Sequence, residues 1–79
     1  PPRIVGAITL IDASVAFTGT GTYSVVTTAL PAGTTVVVDP TTGVITIDPA
    51  GIGGVFLVTV TSTGPCGTAS TSFPVLVVS

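Results

Sequence analysis

The side chains of this chain that could take part in chemistry are few: Arg3, Asp12, Tyr23, Asp39, Asp48 and Cys66, set among many serines and threonines. There is no His, Glu or Lys, so a hydroxyl nucleophile has no base to activate it and acid–base catalysis lacks its second group. Cys66 has neither a histidine nor a nearby cation to turn its thiol into a reactive thiolate. One cysteine cannot hold zinc. Asp39 and Asp48 could approach across a hairpin, but alone they form a weak, exposed pair. The expectation is a chain that is no enzyme, with no catalytic residue, metal, cofactor or small-molecule substrate.

The same inventory bears on partners. Of 79 residues only 5% are charged and 46% are hydrophobic, where an ordinary soluble domain carries about a quarter charged. A single arginine cannot neutralise several phosphates, so nucleic acid is excluded; anionic lipid fails on the same ground. The longest apolar stretches, Val5 to Leu10 and Phe73 to Val78, fall well short of the roughly 18 residues of a membrane span, so no membrane insertion is expected. Hydroxyls, as in Thr18-Gly19-Thr20-Gly21-Thr22 and Ser70-Thr71-Ser72, take the place of ions at the surface. A disordered chain would be poor in aliphatics and rich in charge, which this one is not.

What is missing is also informative. Met is absent, so Pro1 is no translational start, and processing after secretion, or excision from something longer, is expected. Asn, Gln and Trp are absent too, a composition suited to chemical durability in an exposed extracellular or cell-surface polymer. Without Asn there is no N-glycan site; without Lys and Asn no isopeptide cross-link forms. O-glycans on the Thr-rich loops stay open.

The elements that must position these residues read as strands throughout. β-Branched residues recur in short runs cut by Gly, Pro and Asp, and no window shows a helical apolar period. The expected runs are Arg3 to Ile11, Ser14 to Phe17, Thr22 to Thr28, Thr34 to Val38, Val44 to Ile47, Val55 to Thr63 and Thr68 to Val78. In the first, Ile4, Ile8 and Leu10 are set on one face and Val5, Ala7 and Thr9 on the other, with Gly6 as a weak point. The central hairpin has coherent turn chemistry: Asp39 accepts from the backbone beyond it, Pro40 presets φ, and Gly43 supplies a positive φ. Asp48-Pro49-Ala50-Gly51 reads as a second such turn. Phe56, Val58, Val60, Phe73, Val75 and Tyr23 are the expected core, and Pro74 argues for an edge or a bulge. Seven short strands separated by turn signals predict one all-β, immunoglobulin-like β-sandwich domain over 1–79.

From Gly21 onward, Gly-Thr-Tyr-Ser-Val, Leu30-Pro31-Ala32-Gly33, Val38-Asp39-Pro40-Thr41-Thr42-Gly43-Val44-Ile45 and Phe56-Leu57-Val58-Thr59-Val60-Thr61 resemble the bacterial Ig-like surface-repeat family, with its cadherin-like relatives. The resemblance implies a spacer or adhesive stalk unit. Related repeats pair the cysteine of the Gly-Pro-Cys-Gly turn with an upstream one, which is missing here, and the acidic clusters of the calcium-binding relatives are missing as well.

Both faces of several strands are apolar, with Val55 and Leu57 backing Phe56 and Val58, and Leu76 and Val78 backing Val75 and Val77. One of those faces stays wet in a lone domain, and an uncharged wet face invites pairing. The expectation is therefore a structural subunit of an extracellular filament or pilus-like fibre, a homopolymer held by non-covalent β-strand contacts. Ile4, Val5, Ile8, Leu10, Val55, Leu57, Leu76 and Val78 are its candidate self-assembly residues, and residues 1–11 are a candidate strand donated to a neighbour. Cys66, at a hairpin tip, is either a free thiol or a partner in an intermolecular disulfide. The alternative is a spacer or adhesive Ig-like module of a larger bacterial surface protein.

Overall fold

The computed structural model describes residues 3–79 as two packed β-sheets with no α-helix among them. Seven strands occur: β1 (Arg3–Val5), β2 (Thr9–Asp12), β3 (Thr22–Thr27), β4 (Thr35–Val38), β5 (Val44–Asp48), β6 (Gly54–Gly64) and β7 (Gly67–Val77). One sheet has the order β1-β7-β6-β3 and the other β2-β5-β4. All neighbours are antiparallel except β1 and β7, which run parallel with Arg3 opposite Val75 and Val5 opposite Val77.

Strict alternation builds the core. Phe56, Val58 and Val60 on β6 and Val75 and Val77 on β7 point inward and are buried, facing Ile11, Ile45 and Ile47 of the smaller sheet. Tyr23 is buried on β3, and Phe73 is only partly covered. β6 and β7 are each 11 residues long, close to the expected runs Val55 to Thr63 and Thr68 to Val78 and longer than the other five strands. Their hairpin pairs without a break from Gly54–Val77 to Gly64–Gly67. Pro74 sits in it opposite Leu57.

Two expected runs are organised differently. Arg3 to Ile11 is not one strand: the chain bends after Val5 and crosses from the larger sheet to the smaller one. Gly6 allows the close passage, since a Cβ there would stand 3.2 Å from a Val78 methyl. Ser14 to Phe17 is not a strand either, because the Asp12 carboxylate accepts from the Ser14 N–H at 3.0 Å and starts a 3-10 turn over Ala13–Ala16. A side chain that offers the backbone a local partner competes with the ladder.

The β4–β5 turn is tied to the rest of the molecule. Asp39 accepts from the N–H groups of Thr41 (2.8 Å) and Thr42 (3.2 Å), its own carbonyl accepts from the Gly43 N–H at 2.8 Å, and Gly43 has φ +78°. The Gly43 carbonyl accepts from the Ala13 N–H and the Pro40 carbonyl from the Tyr23 N–H, both at 3.0 Å. A Cβ at Gly43 would meet the Tyr23 ring at 3.2 Å and the Ser14 nitrogen at 3.3 Å. Gly43→Val therefore adds a crowded side chain to a backbone conformation that itself costs about 1–3 kcal/mol for other residues. Denaturant unfolding is expected to show a loss of at least that size, and an unchanged midpoint would contradict it. Phe56, 2% exposed, gives the second expectation: Phe56→Ala loses about 3–5 kcal/mol, and a loss under about 1 kcal/mol in the same measurement would mean that the site collapses around the gap.

Candidate functional site

Two β-strands of unusual reach, β6 and β7, give the larger sheet an outer face that is divided along its length. At one end Ile4, Leu76 and Val55 lie side by side across β1, β7 and β6, with Pro74 and Leu57 as the next row. Their exposures are 69% for Ile4, 67% for Val55, 41% for Leu57 and 36% for Leu76; Val78 is exposed just past the strand end. Toward the β6–β7 turn the same face becomes hydroxylic. Thr59 stands opposite Ser72, Thr61 opposite Ser70 and Thr63 opposite Thr68, and on β3 Ser24 and Thr22 continue the last two rows. The Thr59–Ser72 and Thr61–Ser70 hydroxyl pairs are each 2.9 Å apart.

Of the candidate assembly residues, Ile4, Val55, Leu57, Leu76 and Val78 thus share one region. The others do not. Val5 is fully buried and drops out of the set, because β1 turns that residue into the core beside Val77. Leu10 is exposed on the outer face of the smaller sheet, beside Thr46 and Val37, and Ile8 lies on the connection before it. The crossing at Gly6 separates Ile4 from Leu10, which a single uninterrupted strand would have put on one face. Arg3–Val5 and Thr9–Asp12 pair within their own chain, β1 on β7 and β2 on β5. Pro1 and Pro2 of the candidate donated segment lie outside the described residues.

Asp39, Pro40 and Gly43 form the β4–β5 turn, and Asp48 ends β5. Asp12, to which the sequence reading gave no role, caps the 3-10 turn, accepting from the Ser14 N–H and, at 2.6 Å, the Ser14 hydroxyl; the Asp-Ala-Ser order was the available signal. Cys66 is exposed and free at the β6–β7 turn. Among the described residues no three His, Cys, Asp or Glu side chains are grouped to hold a metal, and no helix is long and apolar enough to cross a membrane. Tyr23 is taken up by packing, its ring 6.0 Å from that of Phe17 and tilted by 53°. The chain matches no protein-family model, no curated protein and no solved structure.

Thr34 is a buried polar residue at 6% exposure whose hydroxyl finds no partner. Nothing around it converges on a ligand, so it reads as a structural cost. Thr34→Val keeps the shape and removes the unpaired group, and is expected to raise stability by about 1 kcal/mol. A drop in the unfolding midpoint of that variant would show that the hydroxyl is used.

Proposed function

We propose that the chain is an extracellular structural subunit, an immunoglobulin-like β-sandwich that polymerises with copies of itself by non-covalent contacts between β-sheets. The observation that carries this reading is the uncharged apolar end of the larger sheet, where Ile4, Val55, Leu57 and Leu76 adjoin one another and stay exposed. A contiguous apolar patch rimmed by polar residues marks an interaction surface. Here the rim is made of hydroxyls, and the chain's net charge of −2 gives copies little reason to repel one another.

The strand order supports the Ig-like assignment. In that fold the second, fifth and fourth strands form one sheet and the third, sixth and seventh the other. The present order, β2-β5-β4 against β7-β6-β3, is the same, with β1 moved to the β7 edge. The topology also favours the second reading, a spacer or adhesive module of a larger bacterial surface protein, in which the patch meets an adjacent module. Donation of β1 would repeat its parallel register on the β7 of a neighbour, with the bend at Gly6 as the hinge.

Negative-stain microscopy and light scattering of the concentrated, purified chain separate the readings. Filaments are expected from the parent, and Val55→Glu, which puts a charge in the middle of the patch, is expected to abolish them while circular dichroism stays that of the parent. A parent that remains monodisperse at all concentrations rejects the filament and leaves the spacer. Filaments that persist in Val55→Glu place the contact elsewhere.

A further inference from the structure

Strand β7 is longer than the strands that cover it. β6 runs beside its whole length, but on its other edge β1 pairs only with Val75–Val77, so among the described residues none pairs with residues 67–74 there. Antiparallel pairing sends the backbone groups of successive residues alternately toward one neighbour and the other. The Val78 N–H donates to the Val5 carbonyl at 3.0 Å, which fixes the even-numbered residues as the ones directed away from β6. Counting back by twos, the N–H and C=O groups of Ser72, Ser70 and Thr68 face the vacant edge. Pro74 falls in the same series, which explains why a proline is tolerated in the hairpin: its missing N–H would have pointed at nothing.

The space beneath the edge is open as well. The 3-10 turn Ala13–Ala16, not a strand, faces β7 there, leaving a cleft of about 570 Å³ between Ile11, Ala13 and Val15 on one side and Thr71 and Phe73 on the other, with one charge of each sign, Arg3 and Asp12, also in its lining. Val15 is 83% exposed and Phe73 only half-buried. Natural sheets guard a free edge with lysine, proline, a bulge or an inward charge. Between Gly67 and Phe73 there is none of these: the residues are Thr68, Ala69, Ser70, Thr71 and Ser72, paired without a bulge.

We propose that this edge pairs with the same edge of a second copy, the two β7 strands running antiparallel about a two-fold axis at Ser70 and joining two four-stranded sheets into one. This contact rests on the proposed self-association and specifies which backbone groups meet and in what symmetry. Three features select a copy as the occupant. First, a two-fold contact sets like residues against like, which a charged edge would resist and this uncharged one does not. Second, the register sets Thr68 of each copy opposite Ser72 of the other, hydroxyl against hydroxyl as in the Thr59–Ser72 and Thr61–Ser70 pairs of β6 and β7, here at positions whose backbone groups also face each other. Third, it sets Phe73 opposite Gly67, which has no side chain and nothing within 4 Å of its Cβ position, so the ring has room. The apolar patch lies on the face of the joined sheet and stays free to stack one dimer on the next.

The test uses the full chain carrying Cys66→Ser, which removes the native thiol, and Val55→Glu, which blocks stacking. Sedimentation velocity over a concentration series is expected to show a monomer–dimer equilibrium, and Ser70→Pro, which like Pro74 costs no backbone hydrogen bond within the chain and removes only the exposed hydroxyl contact with Thr61, to raise its Kd by about tenfold or more with the circular dichroism unchanged. Should Ser70→Pro not fold, Ser70→Lys serves in its place. Ser70→Cys is expected to form a disulfide dimer on mild oxidation, whereas Ser24→Cys, exposed on β3 of the same sheet, is not. Equal dimerisation by the parent and the Ser70 variants, a parent that is monomeric throughout, or equal cross-linking at Ser70 and Ser24 overturns the proposal. The two readings fail separately: filaments that grow undiminished from Ser70→Pro with Val55 intact reject the edge contact and keep the proposed function, and edge dimers from a Val55 chain that never forms filaments do the reverse.

Discussion

The unbroken β6–β7 ladder is the element to which nearly everything else is fastened. It supplies five of the inward side chains of the core, Phe56, Val58, Val60, Val75 and Val77, and gives β3 and β1 their partners in the larger sheet. It also makes the molecule long, 40 Å against 19 and 16 Å, because strands of this length outrun the shorter sheet opposite them. The divided outer face and the uncovered stretch of β7 both follow from that mismatch. A hairpin a few residues shorter would have neither.

Much of this was legible in the sequence. Alternation in Val55 to Thr63 and in Phe73 to Val77 gave the buried face, since a period of two needs only that one side of the strand be packed. The Asp39-Pro40-Thr41-Thr42-Gly43 turn was readable because each residue carries its own local preference, independent of the rest of the chain. Tyr23 and Phe73 were placed on inward faces by the same alternation, though it could not show how completely either is covered; that depends on what lies at the edge of the neighbouring strand.

The misreadings have two causes. Arg3 to Ile11 has the composition of one strand, and nothing local to it reports that its two halves belong to different sheets; the destination of each half is set by partners more than thirty residues away, β5 for one and β7 for the other. Val5 and Leu10 were misplaced together by that single error. Ser14 to Phe17 failed differently, through a short-range hydrogen bond from the Ser14 N–H to Asp12 that outweighed the strand preference of Val15 and Phe17. The candidate surface was half visible: apolar residues on both sides of β6 and β7 announced that one side would be wet, but their gathering at one end, with hydroxyls filling the other, required the register.

The hydroxyl half of the outer face has a consequence for the medium in which such a fold can persist. Charged surfaces interact with dissolved ions, gaining or losing stability as the salt around them changes. Here the polar coat is Thr and Ser, paired with one another at 2.9 Å across β6 and β7, and the chain has only Arg3, Asp12, Asp39 and Asp48 for electrolyte to screen. Screening has almost nothing to act on, so the same packing serves in dilute water and in brine.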